Sequence, residues 1–569
     1  MINIAAALNQ ICPSHPSRHV DLMKNDQENK TTVASLSPGA STIFVEPEVE
    51  DVILKPAEGV RESNIDPMLL SSSKRPNSKE YNVKEGVAEI EIESTEQHDP
   101  LYIEFEQGDL RNPINFSRSK KWAITALACF STLLASSNAS TYNLGFDSMM
   151  VDLNCTEFQA TVGLSLYALG FGIVPLVTAS FSEEVGRQPL YYISATGVLL
   201  MYIAIALAHN IQTVLIARFI QGAFGSTWAT MVGGTIADIW QSYERGLPMS
   251  FFAVAAVGGT GFGPIYAGWV EMNPRLQWRW IQWIQMIITG FYLVLVPLIM
   301  KETRSSIILM RIAKRMRKET RNPRYRARIE DERVKLSTLI WVSCTRPIHL
   351  LTTEPVVASF SIWIGFIWGV FFCLIESVGS VFRTVHGFNT GQVGTIFVTF
   401  VIGSLLGFST NFFQEHLYRQ NYPTRGPEAR LYLTCCAAIL VPCGMFIYAW
   451  STFTYVPWIA LTIGMTVFLY GTFIIYLAVF TYLADCYGPF ASSALAGQSL
   501  CRNLAATVFP LFTQQMYAKL SYKWANTLFG CIACVLMPIP FILFFNGPRI
   551  RSRSKFSRAV MQSLQIDGK

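Results

Sequence analysis

The sequence predicts an all-α membrane protein with twelve transmembrane helices arranged as two six-helix halves. Three observations predict it. The 569-residue chain is 51% hydrophobic and only 15% charged, with a mean hydropathy of +0.31, a composition that excludes a water-soluble globule. From Trp122 onward, apolar runs recur that are long enough to cross about 30 Å of hydrocarbon as helices. A strongly basic stretch over residues 301–355 divides these runs into six and six.

Residues 1–120 mix acids, bases, Ser and Pro without a helical period and read as a disordered tail. No basic residue precedes Arg18 and no long apolar core follows, so a cleaved signal peptide is not expected. Residues 121–300 hold the first six runs, beginning with "AITALACFSTLLASSNAST" and ending with "IQWIQMIITGFYLVLVPLIM". Residues 356–546 hold the second six, from "VVASFSIWIGFIWGVFFCLIESVGSVF" to "TLFGCIACVLMPIPFILFF". Residues 547–569 form a second basic tail.

Lys and Arg set the orientation. Arg118, Lys120 and Lys121 precede the first run, the basic stretch joins the sixth to the seventh, and Arg549, Arg551 and Arg553 follow the twelfth. Arg187, Arg245 and Arg419 fall in loops on that same side, which places both termini in the cytosol. The opposite loops are short and poorer in bases, and the first carries the sequon "NCT" at Asn154. A used glycosylation site and a chance match fit it equally.

The halves read as repeats. "SEEVGR" and "QEHLYR" place Glu183 and Arg187, and Glu415 and Arg419, at one separation after the second and eighth runs. Repeated halves around a central site are a transporter architecture. The fifth run, "AAVGGTGFGPIYAGWV", crowds glycines into a membrane helix, where small residues let another backbone approach closely.

Motifs also carry a resemblance. "GFGPIYAGW" resembles the fifth-span antiporter motif of the major facilitator superfamily, a glycine-rich run, here with Gly259, ending in Gly-Pro and a small pair, matched by Gly263, Pro264, Ala267 and Gly268. "ASFSEEVGRQPLYY" is similar to that family's loop between spans two and three, through Glu183, Gly186 and Arg187, but departs from it at Ala179, Glu184 and Gln188. "IARFIQGAFGS" resembles the fourth-span motif through Arg218 and Gly222. "GDLRNPINFSRSKKW", "LQWRWIQW", "EPVVASFSIW" and "GPRIRSRSKF" look like the fungal drug:proton antiporter branch with twelve spans, whose members export drugs, polyamines and secondary metabolites. The resemblance implies a coupling role for Arg218 and a cytoplasmic gate at the span two-three loop.

The remaining candidates come from ionisable and polar residues inside spans, each costly at mid-bilayer without a partner or a wet cavity. Glu376 is the only acid well inside a span and can load and release a proton or attract a cationic substrate. Arg218 stays charged and can tune an acid or hold an anion. Arg502 is similarly isolated, with a structural role as its simpler reading. Asp238 and Asp485 end the fourth and tenth spans, where a gate salt bridge and a helix cap are equally good readings. Asn138 and Asn143 make the first span polar enough to line a wet cavity, and Trp363, Trp368, Tyr470 and Tyr476 offer ring faces to a cation.

Other classes are disfavoured. No G-x-x-x-x-G-K-[ST] loop occurs, the histidines avoid span interiors, and the twelve cysteines, several of them within spans, point to neither a metal site nor a disulfide framework. The expectation is a non-enzymatic, monomeric exporter in the plasma or vacuolar membrane. It takes protons and a small organic molecule, with no metal, cofactor or nucleic acid. A facilitative importer and a non-transporting sensor are the alternatives.

Overall fold

Long apolar runs give long helices, because a backbone in hydrocarbon must satisfy its own hydrogen bonds. In the computed structural model, residues 100–558 are described apart from 242–243, 332–335 and 555, and apart from the side chains of 179, 180, 183, 336 and 489. The expected tail up to residue 99 and the segment 559–569 lie outside the described residues.

In the first half, α1 is Arg118–Thr141 and α2 is the short Phe146–Leu153. The helices α3 (Glu157–Ile173) and α4 (Pro175–Val185) form one rod interrupted before Pro175. Then come α5 (Arg187–Ala206), α6 (Ile211–Ile239), α7 (Gly246–Glu271) and α8 (Gln277–Ile299). The basic stretch, expected to be a loop, contains α9 (Ser305–Thr320) and α10 (Leu336–Thr353). The second half comprises α11 (Pro355–His386), α12 (Thr390–Ile396), α13 (Val398–Arg425), α14 (Tyr432–Trp450), α15 (Trp458–Tyr487), α16 (Ala491–Leu536) and α17 (Pro538–Arg553).

Among the described residues, nine stretches are long and apolar enough to cross a membrane, against the twelve expected. The difference has a physical origin. Two of the nine, 390–450 and 491–553, are 61 and 63 residues long, and each holds two of the apolar runs. The second breaks at Ser521, whose φ of 61° is not helical. The fourth run, α6, is excluded by polar residues that include Gln212, Arg218, Gln221 and Asp238.

The halves begin their second rods in the same way. Thr156 caps α3 in a capping box with Gln159, and Asn389 caps α12 in a capping box with Gln392. Within the first half, α1 packs on α7 and α3 on α6; within the second, α11 packs on α16 and α14 on α15. Across the halves, α3 meets α16 while α7 meets α12 and α13.

Two expectations about the flanks are corrected. Order begins before residue 120: β1 (Leu101–Tyr102) pairs in parallel with β2 (Tyr325–Arg326), tying the chain ahead of α1 to the connector. The basic run after residue 546 is not all tail, since α17 extends to Arg553 and buries Arg551. Arg549–Arg553, the connector and the start of α1 share one end of the bundle, which we call the basic end.

Candidate functional site

Arg218 lies in the second turn of α6, whose start is fixed by Asn210 accepting the Thr213 amide at 2.9 Å. Its side chain is fully buried. Nη1 donates to Asn138 Oδ1 and Gln221 Oε1, each at 3.0 Å. The guanidinium lies 4.2 Å from the Tyr142 ring centroid and 4.5 Å from that of Tyr167. Neutral amides and ring faces thus surround this cation, and no acid pairs with it among the described residues. Gln221, one turn along the same face of α6, was legible as a partner from its spacing alone; Tyr142 and Tyr167, from other helices, were not.

Three of the residues expected to line a cavity converge in the second half. Arg502 lies 4.8 Å from the Trp368 ring and 5.3 Å from the Tyr476 ring, and those two rings are 5.2 Å apart. Trp363 and Tyr470 do not join this cluster. Trp363 stacks on Phe360 at 6.1 Å in the core, and Tyr470 is half-buried beside Gly403 of α13.

Glu376 lies at the seam of the halves, away from the basic end. Its neighbour Ile375 offers a carbonyl to Asn143 Nδ2 of the first half. Gln514 donates to Glu157 at 2.5 Å and Arg383 pairs with Asp147 at 2.7 Å, so three polar contacts close this end between the halves. Glu376 is buried with no cation beside it among the described residues, and its carboxylate oxygens make no close hydrogen bond, the nearest donors being the Gln514 and Thr513 side chains.

At the basic end the gate candidates separate into two clusters, one in each half. Arg187 Nε donates to Asp238 Oδ2 at 3.2 Å, Nη1 donates to Ser182 Oγ at 2.6 Å, and the Arg187 amide donates to Glu302 at 2.9 Å. Gly186 has a φ of 101°, and a Cβ there would strike the Glu302 carboxylate. The side chain of Glu183 lies outside the described set. In the second half Arg430 bonds Asp485 and Glu415, each at 3.0 Å. The expected match of Arg419 to Arg187 is therefore corrected. Arg419 is an exposed residue inside α13, and Arg430 is the residue placed like Arg187. The "AD" that ends α6 and recurs near the end of α15 was the missed signal.

The fifth-run glycines face two ways. Gly259 and Gly263 abut α1, where a Cβ on Gly263 would lie 2.8 Å from the Ser137 carbonyl oxygen. Gly268 abuts the other half at α12, with the Thr390 carbonyl and the Gly391 and Gly394 backbones against it. Pro264 is buried within α7, which continues past it, and its carbonyl faces Gly394. Asn154 is exposed in a left-handed cap at the end opposite the basic one. No group of three His, Cys, Asp or Glu residues able to hold a metal occurs among the described residues.

Residues 128–487 match the Major Facilitator Superfamily. The chain belongs to this superfamily. The superfamily chain is 31% identical over 467 residues to the multidrug transporter mdrA of Aspergillus fumigatus, covering 81% of itself and 76% of that protein. It is 32% identical over 454 residues to the ascochitine biosynthesis cluster transporter of Didymella fabae, covering 79% and 88%. The solved proton:xylose symporter XylE superposes with a TM-score of 0.54 at 16% identity, over 75% of this chain and 96% of that one. As a superfamily member the protein is a multi-pass membrane transporter of small molecules and not an enzyme, as the motifs led us to expect.

Proposed function

We propose that the protein exports a small organic molecule in exchange for protons, alternating access between its halves, with the basic end and both termini in the cytosol. The observation that carries this reading is Glu376: a buried carboxylate with no cation to pair with it among the described residues, one residue from an inter-half contact. An unpaired charge is costly in apolar surroundings. A proton bound from the non-cytosolic side removes that charge and lets the seam close; its release to the cytosolic side, as substrate binds there, restores the charge and favours reopening. The Arg187 and Arg430 clusters hold the basic ends of the two halves together internally, so that each moves as a unit. The plasma membrane is the proposed location, with the vacuolar membrane as the alternative, and Asn154 then faces away from the cytosol.

The test uses inside-out vesicles carrying the full chain, with an acid interior driving uptake of a dye or drug. Glu376→Gln should reach the membrane in normal amount yet lose pH-driven uptake while retaining binding. Wild-type uptake that ignores the pH gradient would instead favour a facilitator, and binding without flux would favour a sensor.

A further inference from the structure

We propose that the Arg502 cluster is an anion-binding subsite, and that the transported molecule is an organic acid with an aromatic or other flat apolar body. This rests on the exporter reading for its place in transport, but binding at the subsite is a separate claim. The placement of Arg502 is specific. Gly365 and Gly369, one turn apart on α11, admit α16 closely: a Cβ on Gly365 would lie 3.4 Å from Cys501 Sγ, and one on Gly369 would enter the Phe509 ring. That approach sets Arg502 over Trp368. Its neighbour Asn503 packs against Gly172 of the first half, 2.8 Å from a Cβ built there, so the cluster borders the seam between halves.

The two buried arginines differ in what they leave free. Arg218 is fully buried and, although its Nε too lacks a partner, spends its Nη1 on two amide acceptors at 3.0 Å. Arg502, 9% exposed, has one long bond, from Nη2 to Ser499 Oγ at 3.3 Å, and its Nε has no partner. A guanidinium desolvated to this degree is costly unless an anion or several acceptors meet it. Among the described residues no carboxylate does. Glu376 stands two turns further along α11 from Trp368, about 12 Å by helix rise, and Asp485 is held by Arg430. A carboxylate or other planar anion fits the missing acceptor, because the guanidinium presents its donors as a fork. Trp368 and Tyr476 give the attached apolar body ring faces to lie against. A cationic substrate would meet Arg502 and Arg218 with no compensating acid beside either.

The decisive measurement compares three probes of one shape, 1-naphthoate, 1-naphthamide and 1-naphthylmethylammonium, binding to the purified full-length protein at neutral pH. Binding is read by quenching of tryptophan fluorescence and by the shift in melting temperature. Naphthoate should bind about tenfold more tightly than naphthamide, the scale of one charge-assisted hydrogen bond, and the ammonium should bind most weakly. Arg502→Gln should cut the preference for naphthoate to under about twofold, weakening naphthoate more than naphthamide, and Arg502→Lys should restore part of it. Equal binding of acid and amide by the wild type, tighter binding of the ammonium, or an unchanged preference in Arg502→Gln would each overturn the proposal. Should Arg502→Gln not fold, the wild-type ranking of the three probes decides alone. Naphthoate that binds in this way but is not moved in vesicles would refute export and leave the subsite standing.

Discussion

Glu428 shows how one residue can hold a segment in place. It is almost fully buried and accepts from Arg551 Nη2 at 2.7 Å and 2.8 Å and from Arg551 Nε at 2.9 Å. Breaking a buried pair leaves one charge without its counterpart, which costs about 3–5 kcal/mol. Glu428→Gln should therefore lower the melting temperature of the detergent-solubilised protein sharply. Glu428→Leu combined with Arg551→Leu should be milder than either single change, because no charge is left orphaned. A double variant as unstable as Glu428→Leu alone would show that packing, not charge, holds the segment. Neither residue stood out in the sequence, because Glu428 reads as a loop acid and Arg551 as one of many bases in a tail. Arg218 and Glu376 were legible for the opposite reason: a charge amid apolar residues is visible without any structure.

At the scale of elements, α7 carries glycines that do two jobs, and substitutions should separate them. Gly263→Leu pushes α1 and α7 apart inside the first half, so it should lower thermal stability whichever way the transporter faces. Gly268→Leu pushes α7 from α12 across the seam. Amides of residues 390–396 should then exchange faster with deuterium in Gly268→Leu, while Gly263→Leu leaves them near wild type. Equal effects at both sites would mean that the two faces are not distinct. Span-length helices were readable because apolar length is a strong constraint on membrane segments. The connector helices α9 and α10 were not: α9 is a basic segment that reads equally well as coil, and α10, apolar but holding Pro347, was absorbed into the basic stretch around it. The paired capping boxes at Thr156 and Asn389 were present in the sequence, and they mark the repeat better than the Arg419 match, which depended on a loop boundary lying six residues earlier than Arg425.

At the scale of the whole molecule, the parallel pairing of β1 with β2 draws a boundary for truncation. Removing residues 1–99 should leave pH-driven efflux per molecule at the surface unchanged, whereas a deletion extended through Tyr102 should loosen the connector and reduce it. Loss of flux in the shorter deletion would give the preceding residues a role in transport. The bond between Glu428 and Arg551 also has a temporal side. The two residues are separated by 123 positions, so a ribosome adding about 5–20 residues per second makes the acid about 6–25 s before its base. During that interval the nascent second half holds a bare carboxylate where its core will close, together with an unfilled berth for α17. A chain stopped after Asn546 keeps every apolar run but never receives Arg551. Pulse-chase labelling should find it inserted yet degraded faster than the full chain, making the final helical turn the point at which the cell can tell a finished transporter from an unfinished one.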